Sequence, residues 1–181
     1  IVVFRIGATI PVPGVNTNII KGMVDSNGLL SLYNMFTGGA FSQFTLFALG
    51  IGPAITASII IQLLTIGFES LGELQKSGEE GKKKINKYTK YIALVLAFIQ
   101  AIAITLGIVK GALISKSAFF IITVILTLVS ASMLLMWIGD KITEKGLGNG
   151  SSIIIFIGIV SGIPKDIIST VSLVKSGKVQ I

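Results

Sequence analysis

Between Asp25 and Glu69 the chain runs 43 residues without Lys, Arg, Asp or Glu, roughly twice what one bilayer-spanning helix needs. One span cannot account for such a run. Its halves also differ. Residues 26–45 (SNGLLSLYNMFTGGAFSQFT) are small, polar and broken by Gly38 and Gly39, whereas residues 46–68 (LFALGIGPAITASIIIQLLTIGF) are almost wholly apolar. This is the pattern of a half-inserted segment followed by a full span. Loose backbone carrying Asn34, Thr37, Ser42 and Gln43 would leave amides unsatisfied against lipid, so it belongs inside protein or beside water. The expectation is a membrane protein with a central cavity that holds something other than lipid.

Composition narrows the chemistry. With 52% hydrophobic residues, 13% charged residues and a mean hydropathy of +0.89, the chain groups with integral membrane proteins. It has no Cys and no His, which removes disulfides, thiolate nucleophiles and the commonest acid, base and metal ligand. A rhomboid-like serine protease lacks its His base here. An intramembrane aspartyl protease needs paired carboxylates at membrane depth, yet none of the eight Asp and Glu lies within a long uncharged run. No catalytic residues, metal site or cofactor are expected. The chain begins at Ile1 inside an apolar stretch without an initiator Met and is read as a piece of a longer polypeptide.

Uncharged runs mark three further spans. Residues 91–109 are 19 residues between Lys90 and Lys110, about 28 Å as a helix. Residues 117–139 are 23 residues ending near Trp137, an aromatic suited to the membrane interface. The last, residues 146–164, has a glycine-rich start (GLGNG) and an apolar stretch that Pro164 ends, with Ser151 or Ser152 as N-cap. Lysines cluster at Lys76, Lys82, Lys83, Lys84, Lys87 and Lys90, joined by Lys141 and Lys145, against Lys110 and Lys116 on the other side. The richer side is assigned to the cytoplasm. The KKK run also suits docking of a ribosome or motor. Direct nucleic-acid recognition is not expected, because no aromatic platform accompanies it.

Two stripes run along the span after the broken segment. Gly50, Ala54, Ser58 and Gln62 are small and polar, while Ile51, Ile55, Ile59 and Leu63 are bulky. Small residues permit close helix packing in a bilayer. Another small stripe, Ala93, Ala97, Ala101 and Thr105, predicts close packing of the next span. Thr56 and Gln100 sit within spans and should each find a hydrogen-bond partner. Broken helices with Gly and Pro53 also suit a secondary solute transporter. Against that alternative, the long runs hold no ionisable residue for ion coupling.

Four blocks then carry a resemblance covering essentially the whole chain: FRIGATIPVPGV, MFTGGAFSQFTLFALGIGPAITASIIIQLL, GEEGKKKINKYTKY and ITEKGLGNGSSIIIFIGIVSGIP. In this order they resemble the SecY family, the central channel subunit of the Sec protein translocase. The resemblance implies an all-α, polytopic membrane bundle with a short re-entrant plug helix, the N-terminal half of a SecY-type channel, moving unfolded preproteins through a plugged, laterally gated pore. It divides the chain into the end of the first transmembrane helix (1–15), an external loop (16–28), the plug (29–43), the second helix (44–68), a basic cytoplasmic loop (69–90), the third helix (91–109), an external loop (110–117), the fourth helix (118–138), a cytoplasmic loop (139–150), the fifth helix (151–164) and an external segment (165–181).

The resemblance also implies roles. Ile51, Ile55 and Ile155 contribute to an aliphatic pore ring. Leu29, Leu32, Tyr33, Asn34, Met35, Phe36, Thr37, Gly38 and Gly39 belong to the plug, and Thr56 and Gln100 to one wall of a lateral gate. Lys82, Lys83 and Lys84 lie on the cytoplasmic partner face. The implied partners are SecE-like and SecG-like subunits, a SecA motor or ribosome, preproteins with signal sequences, and membrane lipid. The implied location is a bacterial plasma membrane, with a plastid thylakoid as the alternative. The chain departs from the family pattern at Ala54, where an aromatic is common, at Ser151, where an aliphatic is usual, and in using Lys where Arg is common, which weakens bidentate contacts.

Overall fold

The computed structural model describes residues 2–108, 111–112, 117–146 and 148–175. Lys110, Lys116, Leu147 and residues 176–181, which enter the expectations above, lie outside the described residues. Apart from one isolated bridge between Pro11 and Thr45, the regular structure is helical: α1 (Val2–Gly7), α2 (Thr17–Ser26), α3 (Gly28–Phe36), α4 (Gly52–Gly67), α5 (Glu69–Lys76), α6 (Gly78–Gly107), α7 (Ala118–Glu144) and α8 (Gly150–Lys175). Of these, α6 and α7 are long and apolar enough to cross a membrane. The pair α4 and α5, bent by 106°, makes a third candidate span if taken together, and the apolar part of α8, Gly150–Ile163, is shorter.

The first helix, α1, stops at Gly7, well short of residue 15, and helix ends depart from the expected ones in four further places. First, α3 is nine residues long, shorter than a helix over 29–43, because Gly38 and Gly39 adopt φ of +65° and +85°, which a helix does not continue through. Residues 37–50 instead fold into successive turns, and α4 starts only at Gly52, after positive φ values at Phe44 and Gly50. Second, the stretch 16–28 contains α2, capped by the Asn16 carboxamide, which accepts from the Asn18 N–H at 3.1 Å. Third, the basic region 69–90 is helical through α5 and the first turns of α6; its Glu, Lys and Gln are good helix formers, and Glu79 and Glu80 complement the helix dipole in the first turn. Fourth, α7 extends to Glu144, and α8 passes Pro164 to reach Lys175, so the loss of one N–H is offset by the turns flanking it.

Packing follows the small residues. Ala93, Ala97, Ala101 and Thr105 are 1%, 0%, 0% and 0% exposed, so the predicted stripe is the buried face of α6. In sequence order, α4 lies along α6, α6 along α7 and α7 along α8, while α3 touches α8. Two apolar clusters result. One gathers Val12, Ile20, Phe41, Phe44, Leu49, Ala97, Ala101 and Leu128. The other gathers Phe4, Phe47, Ile51, Ala54, Ala57, Ala93, Leu135 and Ile154. Outward faces keep large apolar residues exposed, among them Ile59, Leu63, Ile66, Val95, Ile99, Ile122 and Leu126, the surface expected where the solvent is lipid.

Candidate functional site

The turns ahead of α4 determine what its first residues face. Val12 N–H donates to the Phe44 carbonyl at 2.9 Å and Leu46 N–H to the Ile10 carbonyl at 3.0 Å, tying this segment to the chain leaving α1. Two consecutive carbonyls just before α4 then accept side-chain donors from different elements. The Tyr33 hydroxyl of α3 donates to Leu49 at 3.0 Å, and the buried Ser132 hydroxyl of α7 donates to Gly50 at 3.0 Å. Gly50 has φ +61°, a conformation glycine adopts at little cost. The next residue, Ile51, is thereby held in the second apolar cluster, against which Ile55 and Ile155 pack partly buried. All three residues expected at an aliphatic ring share one cluster.

Polar cavities flank that cluster. An inner one of about 230 Å³ is lined by Ala54, Ser58 and Gln62 of α4, Asn86, Thr89 and Lys90 of α6, Asp140 of α7 and Ser151 of α8. The small, polar stripe of α4 is therefore a cavity wall as well as a packing face. An outer cavity of about 350 Å³ is lined by Arg5, Ser31, Asn34, Gly38, Gly39, Ser42 and Gln43, with Ile159 and Ser161 of α8. Along α8, Ile155 lies one turn beyond Ser151 and one turn before Ile159, about 6 Å from each along the axis. On α8, Ile155 thus stands at the level between residues that line the two polar spaces.

Ionic groups border both spaces. Lys90 lies 2.8 Å from Asp140 across α6 and α7 at the inner cavity, with side chains 46% and 36% exposed. At that exposure the pair contributes at most about 1 kcal/mol. Lys141, 2.7 Å from Glu144, holds that carboxyl below its usual range by hydrogen bond and charge. Lys82, Lys83 and Lys84 are exposed near the start of α6. At the outer cavity, Arg5 donates to the Ser161 hydroxyl at 2.7 Å.

The α3 segment is loosely anchored. None of its residues is buried; Leu29, Leu32, Met35 and Phe36 are exposed, and Tyr33 and Asn34 half-buried. The polar groups of Asn34, Thr37 and Ser42 that make this stretch unsuited to lipid are satisfied internally. The Asn34 carboxamide accepts from the Ser42 N–H at 2.8 Å, and the Thr37 hydroxyl donates to the Asn34 carbonyl at 3.0 Å while accepting from the Phe41 N–H at 3.3 Å. Gly38 abuts α8 directly: a Cβ there would lie 2.9 Å from the Gly158 Cα and carbonyl oxygen.

The expected contacts are met in part. The exposed Thr56 hydroxyl donates to the Gly52 carbonyl at 3.1 Å, one turn back in its own helix, because a Thr side chain reaches that carbonyl without a neighbour. The half-buried Gln100 amide has no hydrogen bond among the described residues. The cap of α8 is Asn149, whose carboxamide accepts from the Ser152 N–H at 3.2 Å, in place of the expected Ser151 or Ser152; the helix already begins at Gly150, ahead of both serines. Asn in GNG was a legible cap signal. Ser132 and Thr143 carried none. The Thr143 hydroxyl donates to Gly139 at 3.0 Å and accepts from the Gly150 N–H at 2.9 Å, stitching α7 to α8.

Comparison with known proteins adds to this geometry. A family model described as SecY matches residues 45–181. The chain is 45% identical over 188 aligned positions to a protein translocase subunit SecY of Buchnera aphidicola subsp. Acyrthosiphon pisum, covering 100% of this chain and 43% of that protein. It is 45% identical over 184 positions to the subunit of the same description from Escherichia coli, with 98% and 42% covered. For that of Rickettsia typhi the identity is 42% over 185 positions, with 98% and 43% covered. The chain spans less than half the length of these curated relatives.

Proposed function

Since this chain belongs to the SecY family, we propose that it builds part of a protein-conducting channel, through which unfolded preproteins bearing signal sequences cross the membrane or pass sideways into it. One observation carries this reading: Ile51, Ile55 and Ile155 belong to or pack against one apolar cluster, and on α8 Ile155 stands between residues that line an inner and an outer polar cavity. Apolar, adaptable side chains at a waist let a peptide slip past without being bound, while water and ions meet a dewetted constriction. The segment 29–43 is the plug. The shallow burial of its helical part, α3, supports this role, since few contacts resist displacement of that helix, while Ala40 and Phe41 beyond it are buried in the core.

The channel works by gating, and the energy comes from a ribosome or an ATP-driven SecA motor. The exposed Lys82, Lys83 and Lys84 offer such a partner a cationic face. SecE-like and SecG-like subunits brace the bundle in a bacterial plasma membrane. Thr56 and Gln100 belong to the lateral gate, and the Gln100 amide, which has no hydrogen bond among the described residues, takes its partner from a facing helix. Gln100→Leu in the complete protein should change the export of substrates with weak signal sequences by a few-fold; unaltered export of a graded signal-sequence series would reject this role.

The channel itself is tested by planar-bilayer conductance of the complete protein with its partner subunits, before and after deletion of residues 29–43. A near-silent channel that becomes leaky on deletion is the expected result. Silence of both forms, with solute uptake tracking an ion gradient, would favour a secondary transporter.

A further inference from the structure

Among the described residues, the side chains of segment 29–43 make a single hydrogen bond that leaves the segment, from the Tyr33 hydroxyl to the Leu49 carbonyl at 3.0 Å. The hydrogen bonds of the Asn34, Thr37 and Ser42 side chains stay within it. The Tyr33 ring is steered by an edge-on contact with Phe41, centroids 5.1 Å apart at 88°, which aims the hydroxyl at its acceptor. Leu49 is 1% exposed, so a carbonyl deprived of that donor has poor access to replacement water. Two residues on stands Ile51, with the Gly50 carbonyl between them fixed by Ser132 of α7. Leu49 is thus where a loosely held helix meets a firmly held turn. Burial pushes the phenol up to about 12, so the donor proton is retained across the physiological range.

We propose that the Tyr33 hydroxyl is the catch of the plug, a positioning residue whose hydrogen bond to the Leu49 carbonyl couples the seated plug to the turn that presents Ile51 at the waist. Seating satisfies a buried acceptor, and release leaves it bare. The waist and the plug therefore favour each other's closed arrangement, although α3 has no buried residue of its own. The inference rests on reading residues 29–43 as the plug.

The test is single-channel recording of the complete protein with its partner subunits, as Tyr33→Phe and as the deletion of residues 29–43. Phenylalanine keeps the ring against Phe41 and removes only the hydroxyl. Losing one neutral hydrogen bond should raise the open probability about fivefold, below the rise on deletion, with single-channel current equal to that of the parent because the waist is untouched. An open probability equal to the parent's, in a protein that the deletion opens, overturns the catch while leaving the plug in place. So does an altered current at unchanged open probability, which would put the hydroxyl's effect on the waist alone. If the deletion itself opens nothing, the plug reading fails and the catch falls with it.

Discussion

Replacing Gly150 by leucine is expected to cost about 3–5 kcal/mol, the range of severe core disruptions, and to lower the thermal unfolding midpoint in detergent by roughly 10 °C. A Cβ on Gly150 would overlap the Gly139 carbonyl oxygen and lie 2.9 Å from the Gly139 Cα. These are backbone atoms of α7, which no side-chain rotation can clear. The same crossing holds the bonds from Gly150 N–H to the Thr143 hydroxyl and from that hydroxyl to Gly139, so separating the helices also leaves polar groups unpaired. The control is Gly22→Ala in α2, where nothing lies within 4 Å of an added Cβ and the change should be neutral or slightly stabilising. An unchanged midpoint for Gly150→Leu would refute the close crossing. Because α8 carries Ile155, which packs against the same cluster as Ile51 and Ile55, loss of this crossing should also degrade closure of the proposed waist.

The second large effect is expected at the waist. Ile55→Ser combined with Ile155→Ser in the complete protein should raise basal ion conductance roughly tenfold, because hydroxyls between two polar cavities remove the barrier to wetting. Both side chains are only partly buried, so their truncation leaves smaller voids than a core replacement and the fold should survive. Planar-bilayer recording checks the result. Conductance at the parent's level, in protein that folds, would show that these residues do not form the constriction. Where deletion of residues 29–43 changes how often the pore opens, this pair changes the barrier itself. The two perturbations should therefore combine to give a larger leak than either alone.

Much of the architecture was legible residue by residue. The apolar runs marking α6 and α7, the small stripe that became the buried face of α6, and the broken character of residues 26–45 were all readable from hydropathy and spacing. The helical state of the basic segment 69–90 was hidden. A lysine-rich stretch fits equally a solvated loop or a solvated helix, and its packing against α4 and α6 decides between them. Residues 44–51 also misled, since an apolar run bears no mark of the turns imposed by Phe44 and Gly50.

The site divides along the same line. Ile51, Ile55 and Ile155 could be named from their resemblance to a family, and their meeting in one cluster followed. Nothing local distinguishes Ser132 from other helix serines, nor the Tyr33 hydroxyl from other interfacial phenols. That the chain is an apolar, lysine-sided helical bundle with one stretch unsuited to lipid could be read from the order of residues, because hydropathy, charge and helical period are properties of neighbours. The folded backbone alone fixes which carbonyl Ser132 holds across 82 residues, which hydroxyl Arg5 meets across 156, and that α8 carries Ile155 between residues lining two polar cavities. Such contacts depend on the path of the whole backbone, and the side chains that make them are common types whose partners are set by proximity alone.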